Sequence, residues 1–387
     1  MYYIDQINLH PYFTFSNGSF IKLPLDLVDD VNYITSKAKA FNAKPFLLLI
    51  DVMEGRMYEK QMNPVIDEIR KVLNSYDVEY RFVLDGDFEE YSELEKNEDI
   101  IYSNFLVLTA YAYTVSSDAQ KTSNHWNNLA PKGLYMPGKP DRPHRAKLMS
   151  KLWEQDKLDK LDWSFSITDE EAVFIRQQLL DYDLNTFQKF RQETFRFLDL
   201  RPTDSNRCFS YNGYPYNHEL YEGTSFSVIA ESDFSANING TFNYWPKLTE
   251  KTYRTIANRH PFICSWYPGM TDHIERMGFK SFKEYMMIPE YNNIQDLGKR
   301  LDATIHNIEF FTTMANKPSN VDKIREDIEH NYNHFLYLAR KELEKVQWLF
   351  DLPQTDNIDF RMYLHRYVCF MFPIVYADRN WEPNWLS

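Results

Sequence analysis

The first third of the chain alternates between apolar runs and amphipathic stretches. Residues 45–52, PFLLLIDV, form an apolar run, which is the pattern of a strand buried on both faces of a parallel sheet. Residues 62–76 place apolar side chains three and four positions apart and are predicted to form a helix. Residues 78–87 and 104–113 are predicted as two further strands. Strand, helix and strand in this order predict βαβ units.

A second alternation follows a polar stretch, residues 121–133, which we interpret as a linker. Residues 248–266, LTEKTYRTIANRHPFICSW, have the pattern of a short helix followed by a buried strand. A largely helical pattern covers residues 293–350, and an apolar, aromatic helix is predicted at 360–376. The remaining predicted elements are strands at 133–138, 163–167 and 224–234 and helices at 146–158 and 170–182.

Two alternating halves joined by a linker predict two doubly wound α/β domains. In such sheets, ligands bind outside the carboxyl ends of the strands. This rule singles out the polar residues that follow the predicted strands. They are Asp51, Glu54, Asp85, Asp87, the loop 139–145, Glu231 and the turn 247–251.

The composition narrows the class of protein. A chain of 387 residues that is 43% hydrophobic and 26% charged is expected to be globular rather than disordered or fibrous. The net charge of −13 argues against general nucleic-acid binding, which needs a basic surface, although a local basic cleft stays open. The three cysteines lie far apart and have no zinc-type spacing.

The sequence contains no signal for export or membrane insertion. The first ten residues, MYYIDQINLH, lack the basic and apolar segments of a secretory leader. No uninterrupted apolar run reaches the roughly 18 residues that a spanning helix needs. We therefore expect a soluble, cytoplasmic protein without a membrane span.

The start of the helix predicted within 248–266 carries a candidate anion site. Thr249 is a plausible N-cap, and a cap with a carboxylate in the first turn explains Glu250 on structural grounds alone. It does not explain Lys251, because a cation is mildly disfavoured at that end of a helix. A helix N-terminus with a lysine suits phosphate, and the adjacent carboxylate can accept hydrogen bonds from ribose hydroxyls.

A second basic cluster lies in the stretch PDRPHRAKL, residues 140–148. Arg142, His144 and Arg145 crowd a loop between a predicted strand and a predicted helix. Guanidinium groups suit a diphosphate because they donate two parallel hydrogen bonds. The alternative interpretation is a solvated basic loop without a ligand.

A third signal, LDGDFEE at residues 84–90, points to different chemistry. Asp85 and Asp87 follow a predicted strand and could hold a divalent metal that bridges a sugar-nucleotide diphosphate. Asp-Gly is also a common turn, which is the simpler interpretation. The chain has neither a P-loop nor a dinucleotide-binding glycine motif.

Several motifs together resemble a known family. FSVIAES followed by LTEKTYRTIANRHPFICSW is similar to the donor-binding segment of the α-1,3-fucosyltransferases, and GLYMPGKPDRPHRAKL resembles the start of that family's second domain. The second half also resembles glycosyltransferase-like proteins encoded by bacteriophages, through LDKLDWSFS, HPFI, GFKSF and NYNHFL. The resemblance covers about residues 133–340. Glu231 is followed by Ser-Asp instead of the family's Asn-Ser, and the segment NINGTFNYWPK before Thr249 is insertion-like, so the identity of the sugar does not transfer.

The resemblance implies a GT-B fold, in which two Rossmann-like domains face a cleft, with a C-terminal helix packed back on the body. The implied domains are 1–130 for the acceptor, 131–350 for the nucleotide-sugar and 351–387 as the tail helix. Glu250 would bind ribose, Lys251 and Arg145 the diphosphate, and Glu231 would lie near the sugar or nucleotide. The full set of expected donor-binding residues is Arg142, His144, Arg145, Glu231, Thr249, Glu250 and Lys251.

The expected activity is transfer of a hexose or pentose from a nucleotide-sugar to an acceptor hydroxyl, without a metal or other cofactor. Asp51, Glu54 and Asp85 are the candidate catalytic bases because they end strands of the first domain. The acceptor could be a glycan, a small molecule or a modified DNA base. The alternatives are a metal-dependent transferase that uses Asp85 and Asp87, a phage enzyme that glycosylates DNA bases, and a non-catalytic nucleotide-binding or structural viral protein.

Overall fold

In a computed structural model, the chain divides into two compact units. The first unit comprises residues 1–116 and 338–387, and the second comprises 117–337. The predicted tail helix, 351–387, lies outside the residues that the structure describes. The described residues are 2–8, 24–51, 59–85, 98–104, 107–108, 110, 126–136, 143–163, 221–231, 248–265 and 268–346.

The first unit contains a parallel sheet in which strands β1 to β4 lie side by side in chain order. Its interior is apolar because β2 and β3 bury residues such as Leu47, Leu49 and Phe82. The strands predicted at 45–52 and 78–87 and the helix predicted at 62–76 are confirmed. The elements are β1 (Tyr2–Asn8), α1 (Pro24–Ala40), β2 (Lys44–Asp51), α2 (Glu59–Leu73), β3 (Glu79–Asp85) and β4 (Ile100–Ser103).

The strand predicted at 104–113 is wrong. The strand β4 ends at Ser103, and the described residues 107, 108 and 110 are helical. Asn104 makes this change of direction because its side-chain Oδ1 accepts from the N–H of Val107 at 3.0 Å and its carbonyl accepts from the N–H of Leu108 at 3.2 Å. An apolar run of this length does not by itself distinguish a buried strand from a buried helix.

The second unit contains another parallel sheet, with the strand order β6-β5-β7-β8. The chain passes from β5 to β6 on one side and then returns to place β7 on the other side of β5. This reversal between β5 and β7 is the topological switch point of a doubly wound sheet. The α/β class is therefore confirmed. The strands are β5 (Gly133–Tyr135), β6 (Leu161–Trp163), β7 (Ser227–Ile229) and β8 (Phe262–Cys264).

The predicted elements of this unit are confirmed in type but not in all their bounds. The strand predicted at 224–234 is shorter and forms only β7, and of the strand predicted at 163–167 only Trp163 is described, as the last residue of β6. Residues 248–266 form helix α4 (Glu250–Ala257) followed by β8, as the pattern predicts. The helix predicted at 146–158 begins earlier, as α3 (Pro143–Glu154). The helix predicted at 170–182 lies outside the described residues. Further along the chain are α5 (Met270–Arg276), α6 (Leu297–Ala315) and α7 (Pro318–Val346).

Helices α3 and α6 run side by side in the same direction. Lys151 of α3 pairs with Asp302 of α6 at 2.6 Å, and Lys157, just beyond α3, pairs with Glu309. Lys157 is six residues after Lys151, and Glu309 is seven residues after Asp302. Because both chains advance in the same direction from one ion pair to the next, the two helices are parallel. His144, at the start of α3, lies against the carbonyl of Glu231 just after β7, so the N-termini of the parallel helices α3 and α6 lie at the carboxyl end of the sheet.

The opposite end of the sheet is closed by a buried polar contact. The hydroxyl of Ser227, at the start of β7, donates to Nδ1 of His260 at 2.8 Å. The Nε2–H of His260 donates to the carbonyl of Thr224 at 2.8 Å, which fixes the neutral tautomer. The ring is 3% exposed, and burial lowers the pKa of His260 to about 4. We interpret this serine–histidine pair as structural, because it lies at the amino end of the strands.

The last described helix, α7, is amphipathic. Ile324, Ile328 and Phe335 are buried, and Phe335 stacks on Tyr253 of α4 with ring centroids 6.3 Å apart. Arg325, Glu326 and His330, between these positions, are exposed. Among the described residues, no helix is long and apolar enough to cross a membrane.

Candidate functional site

The carboxyl end of the second sheet, at its switch point, brings together five of the residues predicted from sequence. β5 ends at Tyr135 and leads, after a stretch outside the described residues, into α3. β7 ends at Ile229 and continues into Ala230 and Glu231. The crevice beside such a reversal is where doubly wound sheets bind ligands. The residues brought together are His144, Arg145, Glu231, Thr249 and Lys251.

Helix α4 begins with the predicted cap. Thr249 has an extended backbone, and its hydroxyl oxygen accepts from the N–H of Lys251 at 3.3 Å. This bond satisfies one of the backbone donors that the first turn of a helix leaves without an intrahelical partner. The side chain of Lys251 is partly exposed, whereas the side chain of Glu250 lies outside the described residues. The predicted ribose contact of Glu250 therefore stays a prediction.

The carboxylate of Glu231 joins the end of β7 to the start of α4. Its Oε1 accepts from the backbone N–H of Thr249 at 2.9 Å and from the hydroxyl of Thr252. Its Oε2 accepts from the hydroxyl of Thr249. Glu231 is fully buried, and three hydrogen bonds compensate for taking its charge out of water. The predicted contact between Glu231 and a sugar or nucleotide stays a prediction.

His144 and Arg145 approach the same two residues from α3. The Nε2–H of His144 donates to the carbonyl of Glu231 at 3.2 Å, and Nη2 of Arg145 donates to the carbonyl of Ala230 at 3.1 Å. The two side chains are only 1% and 3% exposed, so the alternative of a solvated loop is wrong for both. Arg142 lies outside the described residues.

A groove runs beside α4 over the strands of the switch point. It encloses about 300 Å³ of empty space, part of which is open to solvent. Lys251 and Arg254 lie one helical turn apart on its wall, so two cations face one apolar floor. The main lining residues are Leu134, Met136, Val228 and Ala230 on the floor, with Tyr221, Lys251, Arg254 and Thr255 around it.

Sequence reasoning missed two arginines of this unit. Arg254 could have been found, because it lies three positions after Lys251 and therefore on the same face of a helix. Arg300, in the first turn of α6, is fully buried, and its Nη1 donates to the carbonyls of Ile294 and Gln295. Burial lowers the pKa of Arg300 to about 10. No sequence pattern signals the burial of a single arginine.

The first unit places two of the candidate bases at the carboxyl end of its sheet. Asp51 ends β2 and Asp85 ends β3, where Asp85 is paired in register with Ser103. Their side chains and the whole of Glu54 lie outside the described residues. The roles of these three acids as catalytic bases therefore stay predictions.

Glu342 of α7 carries a carboxyl group at the same end of the sheet, and sequence reasoning missed it. Its Oε2 accepts from the N–H of Asn104, immediately after β4, at 2.8 Å. The side chain is 1% exposed, and burial raises the pKa of Glu342 although the charge of Lys345 opposes the shift. The residue lies 238 positions from its partner in the chain, so no local signal could have found it.

A metal site needs a cluster of ligating side chains. No cluster of three or more histidine, cysteine, aspartate or glutamate side chains suited to a metal ion occurs among them. Asp87, on which the metal-dependent alternative rests, lies outside the described residues.

Comparisons with known proteins were made on the whole chain. Protein-family models, curated proteins and solved structures yielded no significant match.

Proposed function

We propose that the protein is a glycosyltransferase that uses a nucleotide-sugar donor without a metal ion. The observation that carries the proposal is the groove at the switch point, where Lys251 and Arg254 face an apolar floor. An apolar surface suits the flat base and ribose, while Lys251, in the first turn of α4, suits the phosphates. Arg254 lies in the last turn of the same helix.

The proposed chemistry is a substitution at the anomeric carbon. The acceptor hydroxyl oxygen forms the new bond to that carbon, the bond to the phosphate oxygen breaks, and a base removes the hydroxyl proton. The nucleoside phosphate leaves with additional negative charge, which Lys251 and the N–H groups at the start of α4 stabilise. Arg145 supports this region from α3 through its bond to Ala230.

The proposal includes the GT-B arrangement and assigns acceptor binding to the first unit. The two parallel α/β sheets are the structural feature that supports it. Asp51, Glu54 and Asp85 are the proposed sources of the base, because strand ends are the usual position of such groups in these sheets. The acceptor is a hydroxyl compound, with a glycan, a small molecule and a modified DNA base as the candidates.

A thermal-shift panel tests the proposal directly. UDP, GDP, ADP, CDP, TDP and CMP are each added with manganese and, separately, with EDTA. We expect one nucleotide to raise the melting temperature equally in both conditions, because the cations of the groove replace a metal. A ligand present at 100 times its Kd stabilises by about 2.7 kcal/mol, which such a scan resolves.

The other outcomes of the panel count against the proposal in different ways. Stabilisation that requires manganese would favour the metal-dependent transferase that uses Asp85 and Asp87. Stabilisation by a nucleotide whose sugar donor is never cleaved would favour the non-catalytic nucleotide-binding protein. No stabilisation by any nucleotide would remove the nucleotide site itself.

A further inference from the structure

We propose that Glu231 is a positioning residue, which orients the start of α4, and hence Lys251, without contacting the ligand. This inference rests on the proposed nucleotide site for its effect on affinity. The structural part, the placement of α4 by one buried carboxylate, can be measured without any ligand.

The carboxylate of Glu231 is bound by donors at the start of α4. The carboxylate receives the N–H of Thr249 and the hydroxyls of Thr249 and Thr252, and the side chain is fully buried. Two of these three donors belong to the N-cap residue of α4, and the third lies in its first turn. The carboxylate therefore fixes the helix at the point where the proposed phosphate site begins.

The backbone carbonyls of residues 230 and 231 bind the start of α3. The carbonyl of Glu231 accepts from His144, and the carbonyl of Ala230 accepts from Arg145. Ala230 also lines the groove together with Lys251. Residues 230 and 231 thus connect the starts of α3 and α4 at the switch point, and a displacement of Glu231 would be transmitted to both.

The negative charge has a specific function in this arrangement. A carboxylate only accepts hydrogen bonds, so its two oxygens match three converging donors. It also lies at the N-terminus of α4, where the helix dipole favours negative charge. A glutamine has the same shape but offers one accepting oxygen and a donating NH2 group. In Glu231→Gln the NH2 group faces a donor of α4, so at least one hydrogen bond to the start of the helix is lost. The first turn of α4 is therefore expected to loosen.

The matched control lies at the opposite end of the same two strands. The side chain of His260 joins the starts of β7 and β8 through buried hydrogen bonds to Ser227 and Thr224. It borders the groove only through Ser227 and Tyr221, at the end away from the start of α4. His260→Gln should lower the melting temperature, as Glu231→Gln should. Only Glu231→Gln is expected to alter the start of α4, so a general loss of stability is separated from a loss of positioning.

Two measurements test the inference at a temperature where circular dichroism shows every variant to be folded. Hydrogen exchange without ligand should become at least tenfold faster at residues 249–252 in Glu231→Gln, with little change there in His260→Gln. Calorimetric titration with the nucleotide selected by the panel should give at least tenfold weaker binding in Glu231→Gln and a smaller loss in His260→Gln, whose side-chain bonds lie away from the start of α4.

The outcomes separate this inference from the proposed function. Native exchange at residues 249–252 in Glu231→Gln, or native affinity in that variant, would overturn the positioning role. If wild-type protein binds no nucleotide, the proposed function fails, and the exchange measurement still decides whether Glu231 holds α4.

A second pair of variants applies if Glu231→Gln does not fold. Thr252→Val removes one of the donors to the carboxylate while keeping the shape of the side chain, and Thr252→Ser restores the hydroxyl. The inference predicts faster exchange and weaker binding in the valine variant and recovery of both in the serine variant. Equal behaviour of the two variants would contradict it.

Discussion

Gly133→Ala should lower the free energy of unfolding by about 3 kcal/mol, the upper end of the usual cost of overfilling a core. A Cβ atom at Gly133 would lie 2.4 Å, 2.5 Å and 2.9 Å from three ring carbons of Phe226. Phe226 is fully buried and packs against Phe311 with centroids 5.2 Å apart, so the ring cannot move aside at low cost. Since Gly133 opens β5, the strain falls on the strand that leads to the site.

The control for this substitution is Gly298→Ala. A Cβ atom at Gly298 meets only Oδ1 of Asp296, an exposed side chain, at 3.3 Å, and alanine is the better helix former. We expect it to change the stability by less than about 1 kcal/mol. Denaturant unfolding measures both variants. A Gly133→Ala protein as stable as Gly298→Ala would show that β5 and Phe226 are not packed as described.

Acidification should destabilise the second unit through His260. The ring is neutral in the folded protein down to a pKa of about 4, whereas its ordinary pKa is 6.5. Between these values the unfolded chain binds a proton that the folded chain does not, so stability falls as the pH falls. The loss across this window is about 3 kcal/mol, and stability is fully present above pH 6.5.

The comparison with His260→Gln isolates this contribution. Glutamine does not titrate, so the difference in unfolding free energy between wild type and variant should shrink as the pH drops from 6.5 to 4. Other titrating groups, including Glu342, contribute equally to both proteins and cancel. Denaturant titrations at intervals across this range provide the measurement. A difference that stays constant with pH would mean that His260 is not buried as a neutral ring.

The elements that the sequence predicted correctly are those whose pattern admits one interpretation. α4 followed by β8 is the example, because it combines a cap, a helical period and an apolar strand. The strand predicted at residues 104–113 is wrong because their apolar run fits a strand and a helix equally well. The N–H of Val107 donates to the side-chain Oδ1 of Asn104, and this hydrogen bond starts the helical turn. The role of the Asn104 side chain is visible only in the structure.

The candidate site was predictable in its members but not in their arrangement. The cap at Thr249 and the basic stretch before α3 carry local signals. The burial of His144, Arg145 and Glu231 follows from the pairing of β5 with β7, which brings distant segments together. Sequence separation of 85 to 87 residues between α3 and β7 leaves no local pattern that could reveal these contacts.

The central claim is that the groove beside α4 binds the nucleotide through Lys251. Calorimetric titration of the nucleotide selected by the panel, in EDTA, tests it on wild type, Lys251→Met and the control Lys280→Met. Lys280 is an exposed lysine outside the residues that line the groove. We predict at least tenfold weaker binding for Lys251→Met and unchanged binding for Lys280→Met. Equal affinity in all three proteins would contradict the account, because the phosphates would then bind elsewhere.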